Sequence, residues 1–89
     1  MRIEFDTVKN EWNIRERELS FERVAEFDFD GAVYAVDNRR EYGETRVRAL
    51  GNLEQRLHAL VFVGVPGGIR VISFRKAHQR EVTLYESQT

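Results

Sequence analysis

Eighty-nine residues, 42% hydrophobic and 33% charged, suffice for one domain over 1–89 that buries about two-thirds of its unfolded surface. With no cysteine a disulfide framework and a thiolate metal site are excluded; no apolar stretch approaches the ~20 residues of a membrane helix, and no signal-peptide core is present, so a cytoplasmic domain without membrane contact is expected. The net charge of −1 is uneven: residues 1–45 carry seven Lys and Arg against twelve Asp and Glu, whereas 46–89 carry seven against three, which makes the C-terminal half the part that attracts a polyanion.

In chain order, RIEF (2–5) alternates and predicts a short strand. Asp6 reads as an N-cap, because its carboxylate accepts from free N–H groups of the next turn. Phe5, Val8 and Trp12 recur at helical spacing, which predicts a helix over 7–17 with Trp12 packed on a sheet. Ser20 opens a second predicted helix, ending near Phe27, with Phe21, Val24 and Ala25 as its apolar face; Arg23 stands where a capping-box Glu belongs. DFDG (28–31) reads as a turn, since two alternating acids and a glycine fall far short of a calcium loop. No metal is expected, and the absence of a Gly-rich phosphate loop argues against a nucleotide cofactor.

From there the period becomes strand-like. AVYAV (32–36) is a predicted strand and DNRREYG (37–43) a connection. ETRVRAL (44–50) alternates, with Val47 and Ala49 on one face and Arg46 and Arg48 on the other. RLHALVFV (56–63) follows the GNLEQ turn as the central strand. Pro66 and Gly67 suit a type II turn, IRVISF (69–74) returns as a hairpin strand, and AHQREVTLYE (77–86) closes the chain as a helix. The order β-α-α-β-β-β-β-α describes an α+β fold, with strands two to five in a meander. Two N-terminal helices would cover one face of a mainly antiparallel sheet.

Four segments carry a family likeness: FDTVKNEWN (5–13), LSFERVAEF (19–27), YGETR (42–46) and RVISFRKAHQREVTLYE (70–86). Together they resemble the BrnT toxins of bacterial type II toxin–antitoxin pairs, small ribonucleases of RelE-like architecture. The last segment is the most specific, because Ser-x-Arg-Lys-Ala and Glu-x-x-x-Tyr occur together at a strand-to-helix junction. The chain departs from the family pattern twice. Glu16, Arg17 and Glu18 stand where Lys-His-Gly is common, and Phe62 is followed by Val63, Gly64 and Val65 rather than by Thr and a basic residue.

The resemblance implies metal-independent RNA cleavage, in which the substrate's 2′-OH is the nucleophile and cations meet charge building on the phosphate. Arg suits that role through its planar two-pronged donor set. Arg75 and Lys76 are the candidate cations. Adjacent strand residues point to opposite faces, so both meet one phosphate only if the strand ends there. Regular pleating places Arg70 with Ile72, Phe74 and Lys76, leaving Ser73 and Arg75 on the outer face with Val71; Arg75 is then the phosphate-facing member. Its alternative is a surface pair with Glu81 or Glu86. Glu81 and Tyr85, i and i+4 on the last helix, are candidates to orient Arg75 and to stack on a base or donate to the phosphate; Tyr85 with Val82 is equally a docking stripe. Lys9 matches the family's Lys-x-x-x-Asn with Asn13 and is a candidate RNA contact, as are Arg46, Arg48 and Arg70. For Asn13 and Lys9 the alternative is a solvated helix face. His58, within an apolar strand, reads as a packed sheet histidine, and neither it nor His78 matches a family motif position.

Two functions follow from the resemblance. One is a toxin endoribonuclease, masked by a BrnA-like ribbon-helix-helix antitoxin through which alone the complex meets DNA. The other is a binding module that keeps the toxin fold but cleaves weakly, acting as co-repressor in that complex. The first is the leading expectation; the missing Lys-His-Gly and Phe-Thr elements and the acidic N-terminal half keep the second open as the alternative.

Overall fold

In the computed structural model, which describes residues 1–89, Arg2–Glu4 form strand β1 and Thr7–Arg17 form helix α1. Asp6 caps α1 as expected, its carboxylate accepting from Val8 and Lys9 N–H at 2.8 and 3.2 Å. The helix closes on Glu18 at φ +54°. A left-handed non-glycine residue costs about 1–2 kcal/mol, at the position where the family pattern carries Gly.

The second predicted helix is corrected. Phe21–Glu26 is a 3₁₀ helix, so one α-helix, not two, precedes the sheet. Ser20 still caps it, its hydroxyl accepting from Glu22 N–H at 3.1 Å. The reason for the tighter winding is spacing. Phe21, Val24 and Phe27 recur every third residue and all are buried. Three residues per turn align them on one side, whereas an α-helical step would swing Phe27 away from the core.

The remaining elements are β2 (Val33–Asp37), β3 (Arg46–Leu53), β4 (Arg56–Val65), β5 (Gly68–Lys76) and α2 (Gln79–Gln88). Strands β2 to β5 form the expected antiparallel meander. The sheet as a whole is mixed, in the order β1-β5-β4-β3-β2, because β1 runs parallel to β5 from Arg2↔Gly68 to Glu4↔Arg70. Its hairpins are tight. Glu54 and Gln55 both adopt positive φ, 50° and 66°, between β3 and β4, as a twist-matched two-residue turn requires. Pro66 and Gly67 join β4 to β5, with Gly67 at φ +77°, the geometry a type II turn reserves for glycine.

Strand β5 is not regular. Val61 of β4 opposes Ser73, but its neighbour Phe62 opposes Val71, so Ile72 is an extra, bulged residue. A bulge shifts the side-chain alternation by one. Phe74, Val71 and Ile69 therefore all face the core, where they pack with Leu60, Ala49 and Leu53 against Leu19, Phe21, Val24 and Phe27. The regular-pleat expectation is thus overturned: Val71 is core, and Arg70 lies on the outer face with Ser73 and Arg75.

Helix α1 docks differently from the expected Phe5–Val8–Trp12 stripe. Phe5 does pack edge-on against Phe21 at 5.8 Å, but Val8 is 73% and Trp12 45% exposed, and the buried residues of α1 are Asn10 and Asn13. Backbone groups, not apolar surface, explain this. β1 pairs with β5 only as far as Arg70, which leaves the later carbonyls of that edge without a strand. Asn13 Nδ2 donates to Phe74 O and to Leu19 O, both at 2.9 Å, and Asn10 Oδ1 accepts from Phe21 N–H at 2.7 Å. The helix thus satisfies the open sheet edge through Asn13 and the start of the 3₁₀ helix through Asn10.

These contacts set an expectation. Asn13→Ala strands Leu19 O and leaves Phe74 O only the long Arg17 contact, and should cost about 1–3 kcal/mol, whereas Trp12→Ala should stay within about 0.5 kcal/mol, as exposed substitutions do. Urea denaturation of the two variants measures the contrast; equal losses would contradict this docking.

Candidate active site

The face of the sheet opposite the core is built by alternation. Arg46, Arg48 and Leu50 point outward from β3, with Ala49 buried between them. Arg70 opposes Val63, Ser73 opposes Val61 and Arg75 opposes Ala59. Cross-strand partners share a face, so the bulge at Ile72 brings Arg70 and Arg75 to the side of Arg46 and Arg48. Helix α2 lies over one end of this face. Between helix and sheet is a cavity of about 320 Å³, whose charged lining comprises Arg39, Arg46, Arg48, Arg75, Asp37 and Glu81.

Arg75 is held there at both Nη groups. Its Nη1 and Nη2 donate to Glu81 Oε1 and Oε2 at 2.8 and 2.9 Å, and Nη1 also reaches Lys76 O at 3.2 Å. Glu81 Oε1 accepts a further bond from His78 N–H at 2.8 Å, so one carboxylate caps α2 and ties it to β5. The Arg75 guanidinium, against the cost of burial and with help from the His78 N–H, lowers the Glu81 carboxyl to about 2. Tyr85, one turn on, donates to Gly31 O at 3.2 Å. No residue of α2 is buried; these polar ties do much of its anchoring.

That pair makes stability depend on pH. Because the folded-state value of Glu81 is depressed, its contribution is present above the ordinary carboxylate value of 4.5 and is lost as pH falls toward 2. Glu81→Gln should therefore flatten the acid limb of the stability profile. Denaturation midpoints at pH 6, 4 and 3 provide the check, and parallel profiles for parent and variant would show that the pair contributes nothing.

The other candidates divide. Arg70 Nη2 and Arg46 Nε donate to the two oxygens of Glu44, at 2.7 and 3.1 Å. The Arg46 guanidinium also sits 4.1 Å from the Tyr42 ring centre. Both are thus paired with the loop that joins β2 to β3. Arg48 is exposed and belongs to no ion pair. Asp37, at the end of β2, is buried and accepts from Arg39 at 2.7 and 2.8 Å and from Tyr42 at 3.3 Å; these donors hold its carboxyl well below the usual range.

Lys76 is not brought to this site. β5 continues through Lys76 and α2 begins only at Gln79, so the strand does not end between the two cations. Lys76 opposes His58, on the core side. His58 is buried, packs on Phe74 at 5.5 Å and donates Nδ1–H to Arg56 O at 2.8 Å. Burial lowers its pKa, as fits the packed sheet histidine expected.

Sequence reasoning passed over one cation, Arg17. Its Nη1 donates to Asn13 Oδ1 at 3.0 Å and lies 3.4 Å from Phe74 O. Burial, then the charge of Arg75, depresses its pKa, so two guanidinium groups repel each other at this end of β5. The signal was in the spacing: Lys9, Asn13 and Arg17 are successive i+4 positions on one helix face. Lys9 and Arg17 line a second depression, of about 250 Å³, with Trp12, Asn13, Phe21, Ile72 and Ser73.

A family model described as a ribonuclease toxin, BrnT, of type II toxin–antitoxin systems matches residues 5–81, from the residue before the α1 cap into the first turn of α2. The chain belongs to the BrnT family. That is the family its four motifs resemble, and RNA cleavage and an antitoxin partner are properties at the level of the BrnT family. Comparison with curated proteins yields no match. The BrnT match takes in Lys9, Arg46, Arg48, Arg70, Arg75, Lys76 and Glu81 and stops before Tyr85. No helix of this BrnT chain is long and apolar enough to cross a membrane.

Proposed function

We propose that this chain is a toxin endoribonuclease that cleaves RNA on the outer face of its sheet, with Arg75 as the principal group facing the scissile phosphate. The observation that carries the proposal is the bulge at Ile72, which sets Arg70 and Arg75 on the same side as Arg46 and Arg48. In the reaction a 2′-oxygen–phosphorus bond forms and the phosphorus–5′-oxygen bond breaks. The 2′-OH proton leaves to a base and the 5′-oxygen takes up a proton, giving a 2′,3′-cyclic phosphate and a free 5′-OH. Arg75, fixed by Glu81, meets charge as it builds on the non-bridging oxygens, a role in which preorganised donors are most effective. Arg46, Arg48, Arg70 and Lys9 attract the strand, and Tyr85 is a stacking or donor group at the α2 side. No metal takes part, so cleavage persists in EDTA. The partner is a BrnA-like ribbon-helix-helix antitoxin in the cytoplasm that masks these cations and alone contacts DNA.

A second reading is a weakened toxin that acts mainly as co-repressor. It is favoured by the pairing of both Arg75 Nη groups with Glu81 and by Val63–Gly64–Val65 at the end of β4, which offers neither hydroxyl nor cation. Incubating antitoxin-free protein with a labelled RNA separates the two. Cyclic-phosphate products in EDTA support the nuclease; intact RNA beside a tight, operator-binding antitoxin complex supports the co-repressor.

A further inference from the structure

Trp12 and Lys9 are not explained by folding, and Arg17, which is tied to Asn13 and Phe74 O through Nη1 alone, is explained by it only in part. Trp12 is the only tryptophan in the chain, and it stands 45% exposed on a helix whose buried side is made of asparagines. The Arg17 guanidinium sits 5.0 Å from the indole centre. Lys9 lies one turn before Trp12, and Lys9 and Arg17, separated by about 12 Å along the helix axis, both line the same depression. Its far wall is Ile72 and Ser73 of the bulge, residues that also line the cavity holding Arg75. The two concavities therefore share a wall. A polyanion crossing β5 at Arg75 would next meet a half-exposed indole that carries the Arg17 guanidinium over its ring, with Lys9 one turn away.

We propose that this notch on α1 receives one unpaired base of the RNA substrate, stacked on Trp12, while Lys9 and Arg17 hold the phosphates on either side of it. The inference rests on the nuclease reading above, and it makes Trp12 a specificity-determining residue. An indole accepts any base by its flat face but overlaps a purine more fully than a pyrimidine, so a purine is favoured at this position. Aromatic side chains alternating with cations are how proteins hold single strands, and Arg adds its own attraction to the ring face.

The single tryptophan makes the test direct. The full chain is titrated with end-labelled 2′-O-methyl RNA tetramers, which lack the nucleophile and cannot be cleaved; binding is read by anisotropy of the label and stacking by Trp12 fluorescence. Oligoadenylate should bind and quench Trp12, and an abasic tetramer should bind more weakly without quenching. Trp12→Ala should weaken oligoadenylate binding about 5- to 150-fold, the range for one base stacked on an aromatic, whereas Trp12→Phe should retain most of the affinity. Binding without quenching, with an unaltered affinity for Trp12→Ala, would overturn the base notch and leave the nuclease reading in place. No binding of any tetramer at low salt, with no cleavage of unmodified RNA, would overturn both. A Trp12 signal that responds to the antitoxin but not to RNA would assign the notch to the protein partner and overturn the proposal.

Discussion

Arg75→Ala is expected to lower the single-turnover rate of RNA cleavage by about 100-fold or more, the loss that follows removal of one preorganised transition-state donor. Arg75 is held at both Nη groups by Glu81, whose own carboxylate is fixed by the His78 N–H. Its guanidinium is therefore placed before substrate arrives, and a fixed donor stabilises charge that appears only in the transition state. Lys76 offers the contrast. It is the next residue, but it points toward His58 on the other side of the sheet, so Lys76→Ala should leave the rate within about twofold, far from the loss of a transition-state donor. Arg75 also anchors α2, and Glu81→Gln controls for that: it loosens the same anchor while keeping the cation, and should slow cleavage much less. The comparison is made at saturating enzyme, with folding verified by circular dichroism. Undiminished cleavage by a folded Arg75→Ala protein would remove this residue from the mechanism. Equal losses for Arg75→Ala and Glu81→Gln would reduce it to a structural tie.

Deleting Ile72 is expected to unfold the domain. The bulge is the only reason that Phe74 on one side of it and Val71 and Ile69 on the other can all be buried. Without the extra residue, β5 either turns Ile69 and Val71 to solvent and drives Arg70 toward the core, or displaces Phe74 and inverts Arg75. Each exposed aliphatic side chain forfeits about 1.5–3 kcal/mol, and an inward-facing unpaired arginine adds several more. The sum is comparable to the ~5–15 kcal/mol by which whole domains are stable. Ile72→Ala keeps the register and should cost far less. Thermal melts followed by circular dichroism distinguish the two variants. A cooperative transition for the deletion within a few degrees of the parent would mean that the bulge does not set the two faces.

What the sequence by itself determined is local. The Asp6 cap, the turn at Pro66–Gly67, the outward direction of Arg46 and Arg48 and the four-strand meander all rest on signals that act over a few residues: a carboxylate beside free N–H groups, a glycine at positive φ, a period of two. The family likeness belongs here as well, since its motifs are short and lie where they can be read. The three-residue spacing of Phe21, Val24 and Phe27 suits the 3₁₀ helix, but residues i and i+3 are also neighbours on an α-helix, so that spacing alone does not choose between them. Only the tertiary structure decided the rest. α1 turned Asn13 inward because the edge of β5 beyond β1 needed a hydrogen-bond partner, and Asn10 because the Phe21 N–H did, demands that exist only once these segments have packed together. Arg70 joined Arg75, and Lys76 left it, because one extra residue is accommodated opposite β4. Arg17 came beside Arg75 from 58 positions away in the chain. A bulge and a helix seated on a sheet edge are settled by the fit of distant segments to one another, and alternation along a single strand carries no trace of that fit.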